Sequence, residues 1–480
     1  MNWIYWVSNI LIGEPFLTAF DMQEKVIAIF DIGKTNKKVL LFDSTFQLIH
    51  QEESVFAPIQ DEDGEECDDI QLITDWMEAT LQQLIDEGYL IAGVNFSTYG
   101  ASLLHLDQNG KVLSPLYNYL KEIDQSVQQY FFDNYGGSAA FCRRTASPAL
   151  GAMLNSGVQL LWLKNQKPEM WSKRVDSLHF PQYLSYYFTK QLCADPTSNG
   201  CHTFLWDFDQ MAYHPWLQQE GITFPSPLPN STCFPVKFGG QEILFGIGIH
   251  DSSAALVPYL SSEKEAFALI STGTWCINMN PFNNEPLTEN QLKDDCLCFL
   301  TPEQKQVKSS RVFLGHFHNV WTQRLSEYFE ADPKFYKVCD ASERQIAEVK
   351  NMFSKELYFF PSGTEAVEEA LNQVDLSVFK NIETAYIRLV SELATLCVNA
   401  IQHILPQQDE TKKFFVTGGF ARNPIFIKEI KTAFPEKRIC LSEIDNASAL
   451  GAALVLAPAL RGFSTDAVQS EKEISEAEKV

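Results

Sequence analysis

At 480 residues the chain is longer than one hydrophobic core supports, so two domains are expected. With 45% hydrophobic and 20% charged residues it can bury enough apolar surface to fold, which excludes a disordered chain. A formal net charge of -24 excludes a broad basic field for nucleic acid or an anionic membrane, so any phosphate must be met by a local site.

The eleven cysteines are odd in number and scattered, with no pair of C-x-x-C units. Neither a disulfide framework nor a structural zinc site is suggested, and a reducing cytoplasm fits best. The first residues, MNWIYWVSNILIGEPFLTAF, are apolar but lack a basic start and are interrupted by Glu14 and Pro15. We read 1–21 as an N-terminal extension, with Met22 as an alternative translation start, and not as a signal peptide or membrane span.

In chain order, KVIAIF (25–30) and VLLF (39–42) read as strands joined by the polar turn DIGKTNKK. A third strand is predicted at 48–52, then an acidic loop over 60–69 and a helix over 69–87. The apolar run 91–97 reads as a strand ending in Ser97, Thr98, Tyr99 and Gly100. Helical spacing then dominates to about residue 190, with Pro168 as a stop. From 242 the pattern returns to strand, and GIGIHDSSAALVPYL sets a small-residue helix directly after an exposed polar turn. AFALISTGTWCINM (266–279) repeats the strand-turn-strand logic of the first hairpin. Helices are predicted near 315–329, 340–353, 376–405 and 447–460, and a strand at 413–416 that runs into Thr417, Gly418 and Gly419. The acidic tail from Ser464 to Val480 reads as a solvated end.

Three turns are rich in Gly, Thr and Asn: DIGKTNKK (31–38), STGTW (271–275) and TGGFARN (417–423). Glycine lets the main chain approach an anion closely, and hydroxyls and lysines add directed donors. Each turn alone is equally an ordinary β-turn. Three of them, the first two half a chain apart, imply two similar domains that present their loops to a shared cleft. Neither G-x-x-x-x-G-K-[ST] nor a protein-kinase Gly-rich loop with a downstream HRD segment occurs, so a different phosphate-binding architecture is required.

On these motifs the sequence resembles the FGGY carbohydrate kinases, within the superfamily of actin, hexokinase and the seventy-kilodalton heat-shock chaperones. Asp31, Gly33, Thr35, Asn36 and Lys38 are similar to the family's first phosphate turn, with Lys34 standing where the family has a small residue. Gly248, His250, Asp251, Ser252, Ala254 and Ala255 resemble the central signature in its rhamnulokinase-like and fuculokinase-like form. Ser271, Thr272, Gly273, Thr274 and Trp275 resemble the second phosphate segment, and Gly418, Gly419 and Asn423 the adenosine segment. Glu443 with Ala449, Gly451 and Ala452 resembles the closing helix.

The resemblance implies an α/β protein of two ribonuclease H-like, actin-like ATPase domains with an interdomain cleft. Its expected divisions are 22–255, with the sugar site, first phosphate loop and catalytic Asp, 256–462 for ATP, and an acidic tail over 463–480. It implies Asp251 as the base, whose other reading is a helix N-cap, and Asp31 as a holder of Mg²⁺ through water. Lys34, Thr35, Asn36, Lys38, Thr272, Gly273, Thr274, Gly418, Gly419 and Asn423 would meet ATP. Tyr99, Gly100, His250, Asp251 and Ser252 would border the sugar, and His250 serves equally as a residue orienting Asp251.

The implied reaction is phosphorylation of a free ketose such as L-rhamnulose or L-fuculose by ATP with Mg²⁺. A pentulose or polyol kinase, or a catalytically silent sensor on the same fold, are the alternatives. The partners implied are a sugar and ATP, with no nucleic acid or membrane, and a homodimer is left open. His316 and His318 form an H-x-H pair that could suggest a metal, but no carboxylate pattern accompanies it, and we read it as structural.

Overall fold

The computed structural model describes residues 24–352, 357–361, 370–371, 373–442, 444–464 and a short strand at 475–476. The expected extension 1–21, Glu443 and all of the acidic tail after Ser464 except that strand lie outside them.

Two sheets organise the chain. The first contains β1 (Lys25–Ile32), β2 (Lys37–Phe42), β3 (Leu48–Ser54), β4 (Leu90–Thr98), β5 (Cys233–Phe238) and β6 (Gln241–Gly246), in the spatial order β5-β6-β4-β1-β2-β3. The antiparallel meander β1-β2-β3 is extended on its other side by β4, parallel to β1, and by β6, parallel to β4. Helix α1 (Ile70–Asp86), capped by Asp69, makes the crossover between β3 and β4. Side chains alternate along β1: Val26, Ala28 and Phe30 face α1, where Phe30 meets Trp76 edge-on at 5.5 Å, while Ile27 and Ile29 face the opposite cluster. Both faces are buried, so the strand reads as an unbroken apolar run.

After α2 (Asp251–Ser262) the same plan recurs. The meander is built from β7 (Phe267–Thr272), β8 (Cys276–Asn280) and β10 (Gln306–Val312), with β9 (Leu297–Leu300) at its edge. Helices α3 (Leu314–Tyr328) and α4 (Ile382–Ile404) form the crossover. β11 (Lys413–Gly418) lies parallel to β7, and β12 (Arg438–Leu441), reached through α5 (Pro424–Ala433), lies parallel to β11. Helix α4 alone among the described residues is long and apolar enough to cross a membrane, and 72% of its apolar window is buried in the second core.

Helix α6 (Ala447–Leu454) follows β12 yet packs on the first sheet: Ala449 and Ala452, with Leu456 and Leu460 after it, join Ile27, Ile29 and Leu40 in one cluster. It also crosses α2 at backbone contact, because a Cβ on Gly451 would lie 1.9 Å from the Ala254 carbonyl oxygen. The small residues of DSSAA and ASALGAA thus permit one close helix pair at the base of the cleft. The expected division near residue 255 falls inside α2.

The helical reading of 157–171 resolves into two helices, Ser156–Gln166 and Pro168–Lys173. Pro168 ends the first and opens the second, where its missing N–H is no loss.

Candidate active site

Asp31 lies in β1 where the meander meets β4, in register with Lys38 on one side and Ser97 on the other. Burial pushes its carboxyl up to about 6. The Ser97 and Ser448 hydroxyls and the Lys38 charge oppose the shift, and the negative charge of Asp251 adds to it. Ser448 Oγ, from α6, donates to Asp31 Oδ2 at 3.0 Å.

Asp251 opens α2. Its side chain keeps 36% of its surface open to the cleft, yet protein surrounds it closely enough that burial raises its carboxyl to about 6, against hydrogen bonds from Ser252. Those bonds run from Ser252 N at 2.5 Å and Ser252 Oγ at 3.2 Å to Oδ1. The residue preceding the helix is His250, so Asp251 is the first helical residue and not the cap.

His250 is buried beside it and held neutral, pushed down to about 4 by burial. Ser253 Oγ donates to the Leu300 carbonyl at 2.8 Å, so at 3.2 Å from His250 Nδ1 it must accept the ring proton. Nε2 is then an acceptor, supplied by the Cys201 thiol at 3.1 Å, and it lies 3.2 Å from Asp251 Oδ1. A Cβ on Gly100 would strike Cys201 Sγ at 2.8 Å and His250 at 3.1 Å, which brings together the expected sugar residues Gly100 and His250.

The first turn is closed by Gly33 N donating to Asn36 O at 2.9 Å, with Thr35 exposed at its tip. The three lysines around it are engaged. Lys34 Nζ donates to Asp68 Oδ2 at 2.7 Å and Lys37 Nζ to Asp68 Oδ1 at 3.1 Å. Lys38 Nζ reaches Asn446 Oδ1 at 3.2 Å. Tyr99 also donates to Asp68 Oδ2, at 2.8 Å, and packs edge-on against Tyr119 at 5.7 Å. Burial alone would raise the Asp68 carboxyl, but the hydrogen bond and charge of Lys34, with the charge of Lys37, hold it below the ordinary carboxylate range.

The second turn mirrors the first, with Gly273 N donating to Trp275 O at 3.0 Å. Thr272 is buried and braces the third turn: its hydroxyl donates to Thr417 O at 2.5 Å and accepts from Phe420 N at 3.0 Å. Gly418, at φ 86°, crosses so close that a Cβ would sit 1.9 Å from the Thr272 carbonyl oxygen, whereas the space beside Gly419 is open. Asn423 caps α5 by accepting from Ile425 N and Phe426 N at 3.1 Å and donates to Tyr386 at 2.8 Å. It therefore shapes the turn with both ends of its amide.

Beside Thr274, Trp275 stacks on Phe313 at 4.3 Å, Phe313 on His316 at 4.3 Å, and the Arg311 guanidinium lies over Trp275 at 4.9 Å. Trp275 and Phe313 line a cavity of about 1000 Å³ between the helix Ser138–Arg144 and the second sheet. The Arg311–Asp295 pair separates it from a chamber of about 90 Å³ that reaches His250 and Ser252. His318 points the other way, to Tyr386 at 3.1 Å, since residues two apart on a helix diverge. No cluster of metal-ligating side chains occurs among the described residues.

Comparison with known proteins agrees with this architecture. The model of the N-terminal domain of the FGGY family of carbohydrate kinases matches residues 26–229, and that of the C-terminal domain residues 264–463. The chain belongs to the FGGY family of carbohydrate kinases. It is an α/β kinase of the actin-like ATPase fold. A rhamnulokinase of Yersinia pestis is 23% identical over 398 residues, covering 78% of this chain and 80% of that protein. Among solved structures, a carbohydrate kinase from Novosphingobium aromaticivorans superposes with a TM-score of 0.74 at 21% identity, over 92% of this chain and 93% of the other. A xylulose kinase from Lactobacillus acidophilus gives 0.74 at 18% identity, over 93% and 91%.

Sequence reasoning missed Asp68, Tyr119, Cys201, Ser253, Asn446 and Ser448. None lies in a phosphate-turn pattern; Ser253 follows Asp251 on the same helix, and the others reach the site through packing between separate segments.

Proposed function

We propose that this kinase transfers the γ-phosphoryl group of ATP to a hydroxyl of a free ketose, such as L-rhamnulose or L-fuculose, with Asp251 as general base. The observation that carries it is Asp251 itself: a carboxylate open to the cleft, raised to about 6, facing Asp31 and bordered by Gly100 and His250. A base with a pKa near the working pH is the efficient one, and it contributes about 10² to 10⁴ in rate. The likeness to rhamnulokinases supports a 6-deoxy-ketohexulose, and the likeness to a xylulose kinase supports a pentulose as the second reading.

Asp31 and Asp251, the charge of the second raising the first, with Asp31 Oδ1 not engaged by Ser448, form a donor set suited to a divalent cation. Asp31 would hold Mg²⁺ through water, and the ion would neutralise charge on the phosphates. Backbone amides at Gly33 to Asn36 and Gly273 to Thr274, the Thr35 and Thr274 hydroxyls and Lys38 would orient those phosphates. Thr272, Gly418, Gly419 and Asn423 shape the wall for adenosine. Tyr99, Gly100, His250 and Ser252 would position the sugar so that its hydroxyl meets Asp251. All eleven cysteines are free thiols, in keeping with a reducing cytoplasm. Residues 22–255 and 256–462 are the proposed sugar-side and ATP-side domains.

The test is ADP release with Mg-ATP across L-rhamnulose, L-fuculose, D-xylulose, L-ribulose, D-ribulose, glycerol and the parent aldoses. Release that depends on one sugar establishes the substrate. Silence across the panel with ATP bound would overturn the ketose assignment in favour of a sensor.

A further inference from the structure

Lys34 stands where the family pattern has a small residue, and its environment is unlike that of an ordinary turn lysine. Its backbone belongs to the first phosphate turn, but its ammonium lies on the sugar side of that turn, on Asp68 and 5.7 Å from the ring centres of both Tyr99 and Tyr119. Tyr119 is close enough to Asp251 for the charge of that carboxylate to raise its phenol, after burial, and the charge of Asp68 adds to the effect. The Lys34 ammonium therefore sits at the seam between nucleotide turn and sugar wall, where the phosphoryl group must pass.

We propose that Lys34 is a catalytic residue held in reserve, moving from Asp68 to the phosphoryl group in transit when both substrates are in place. This rests on the kinase reading above.

The charge balance around Asp68 is what allows the move. Its carboxylate has two lysines where one would neutralise it. Lys37, with 2% of its side chain exposed, is tied to Asp68 Oδ1 and to the Lys34 carbonyl oxygen at 3.0 Å, so it stays. The Lys34 side chain is 33% exposed and free to turn about its flexible stem. When it leaves, Asp68 still has Lys37 and the Tyr99 hydroxyl, so no buried charge is stranded. A sugar seated between Gly100 and Asp251 would take the Tyr119 ring surface away from the ammonium, which weakens its hold in the resting place only when sugar is bound.

In the transfer, the substrate hydroxyl oxygen forms the new bond to the γ-phosphorus. The bond from that phosphorus to the bridging oxygen breaks with its electron pair left on ADP, and the hydroxyl proton passes to Asp251. Lys34 neither gains nor loses an atom. It neutralises charge on the equatorial oxygens, an effect worth about 10² to 10³ in kcat for one well-placed donor. Kept on Asp68 in the absence of sugar, the same charge is withheld from attack by water.

The experiment compares Lys34→Met, Lys34→Arg and Asp68→Asn with the wild type in ADP release, with and without the sugar the panel identifies. Binding of Mg-ADP and of Mg-ADP with aluminium fluoride, a mimic of the phosphoryl group in flight, is measured in parallel. K34M is expected to lower kcat about 10²-fold, to leave Mg-ADP affinity within about threefold, and to lose at least about tenfold of the extra affinity for the aluminium fluoride complex. K34R is expected to recover part of the loss. D68N, which frees the lysine, is expected to raise sugar-independent ADP release severalfold. A K34M enzyme with normal kcat and normal aluminium fluoride binding overturns the proposal while leaving the kinase intact. Should K34M not fold, D68N decides: an unchanged sugar-independent rate overturns it. A wild type without sugar-dependent release strikes instead at the reading of the function.

Discussion

The two glycine turns, 33–36 and 273–275, are built on one backbone plan and furnished with opposite chemistry. Each closes with a glycine N–H on a carbonyl two or three residues ahead, at 2.9 and 3.0 Å, and each joins the first two strands of a meander. The first is surrounded by Lys34, Lys37, Lys38, Asp31 and Asp68. The second carries no charge of its own, and is shaped by the Thr272 brace and the Trp275–Phe313 stack, with Arg311 laid over the indole. Repetition of a fold unit leaves the amide cradle in place twice while the side chains divide the work, charge on one side and shape on the other.

Breaking the charged side at its base has the largest expected effect. Asp251→Asn should lower kcat by at least about 10² while Mg-ATP affinity, measured by titration calorimetry, holds. Near-normal turnover would remove Asp251 from the role of base.

The pH profile sharpens the same contrast. Asp251 and Asp31 are both raised to about 6, so as pH falls through that value their ionised forms are lost, and kcat/KM should drop at least about tenfold per unit below it. Stability runs the opposite way. A folded pKa of about 6 above the ordinary 3.8 means that the folded protein binds the proton more tightly than the unfolded chain. Stability is then lost as pH rises through that window, and D251N should raise Tm at about pH 7.5 but not at about pH 4.

On the shaped side the expected effects are smaller and structural. Thr272→Val removes the brace and leaves the Thr417 carbonyl and the Phe420 N–H without it, a loss of about 1 to 3 kcal/mol in denaturant unfolding. The ATP KM should rise more than kcat falls. Asn423→Ala removes the cap of α5 for about 1 kcal/mol and should weaken ATP by only a few-fold. If T272V cut kcat as deeply as D251N, the division between a charged and a shaping turn would be wrong.

Much of this was legible in residue order. The apolar run of β1, the turn residues after it and the small-residue helix after His250 are local patterns, and local backbone chemistry makes them visible. What stayed hidden is instructive. The strands β5, β9 and β12 are mixed in character, and tertiary pairing decides them. Lys34, expected on phosphate, rests on Asp68, because the acidic loop over 60–69 folds back under the turn and a nearby carboxylate takes the ammonium. Asn423, expected beside adenosine, spends its amide on a helix cap and on Tyr386.

The sequence by itself determined the family and the two repeated units, because each is written in short stretches whose backbone geometry demands those residues. Only the tertiary structure decided which tautomer His250 holds, which lysine meets which carboxylate, and that α6 returns from the second unit to cover the first sheet and set Ser448 on Asp31. Those outcomes depend on side chains from separate segments, 34 positions apart for Lys34 and Asp68 and 417 for Asp31 and Ser448, and proximity in the fold, which residue order does not encode locally, settles them.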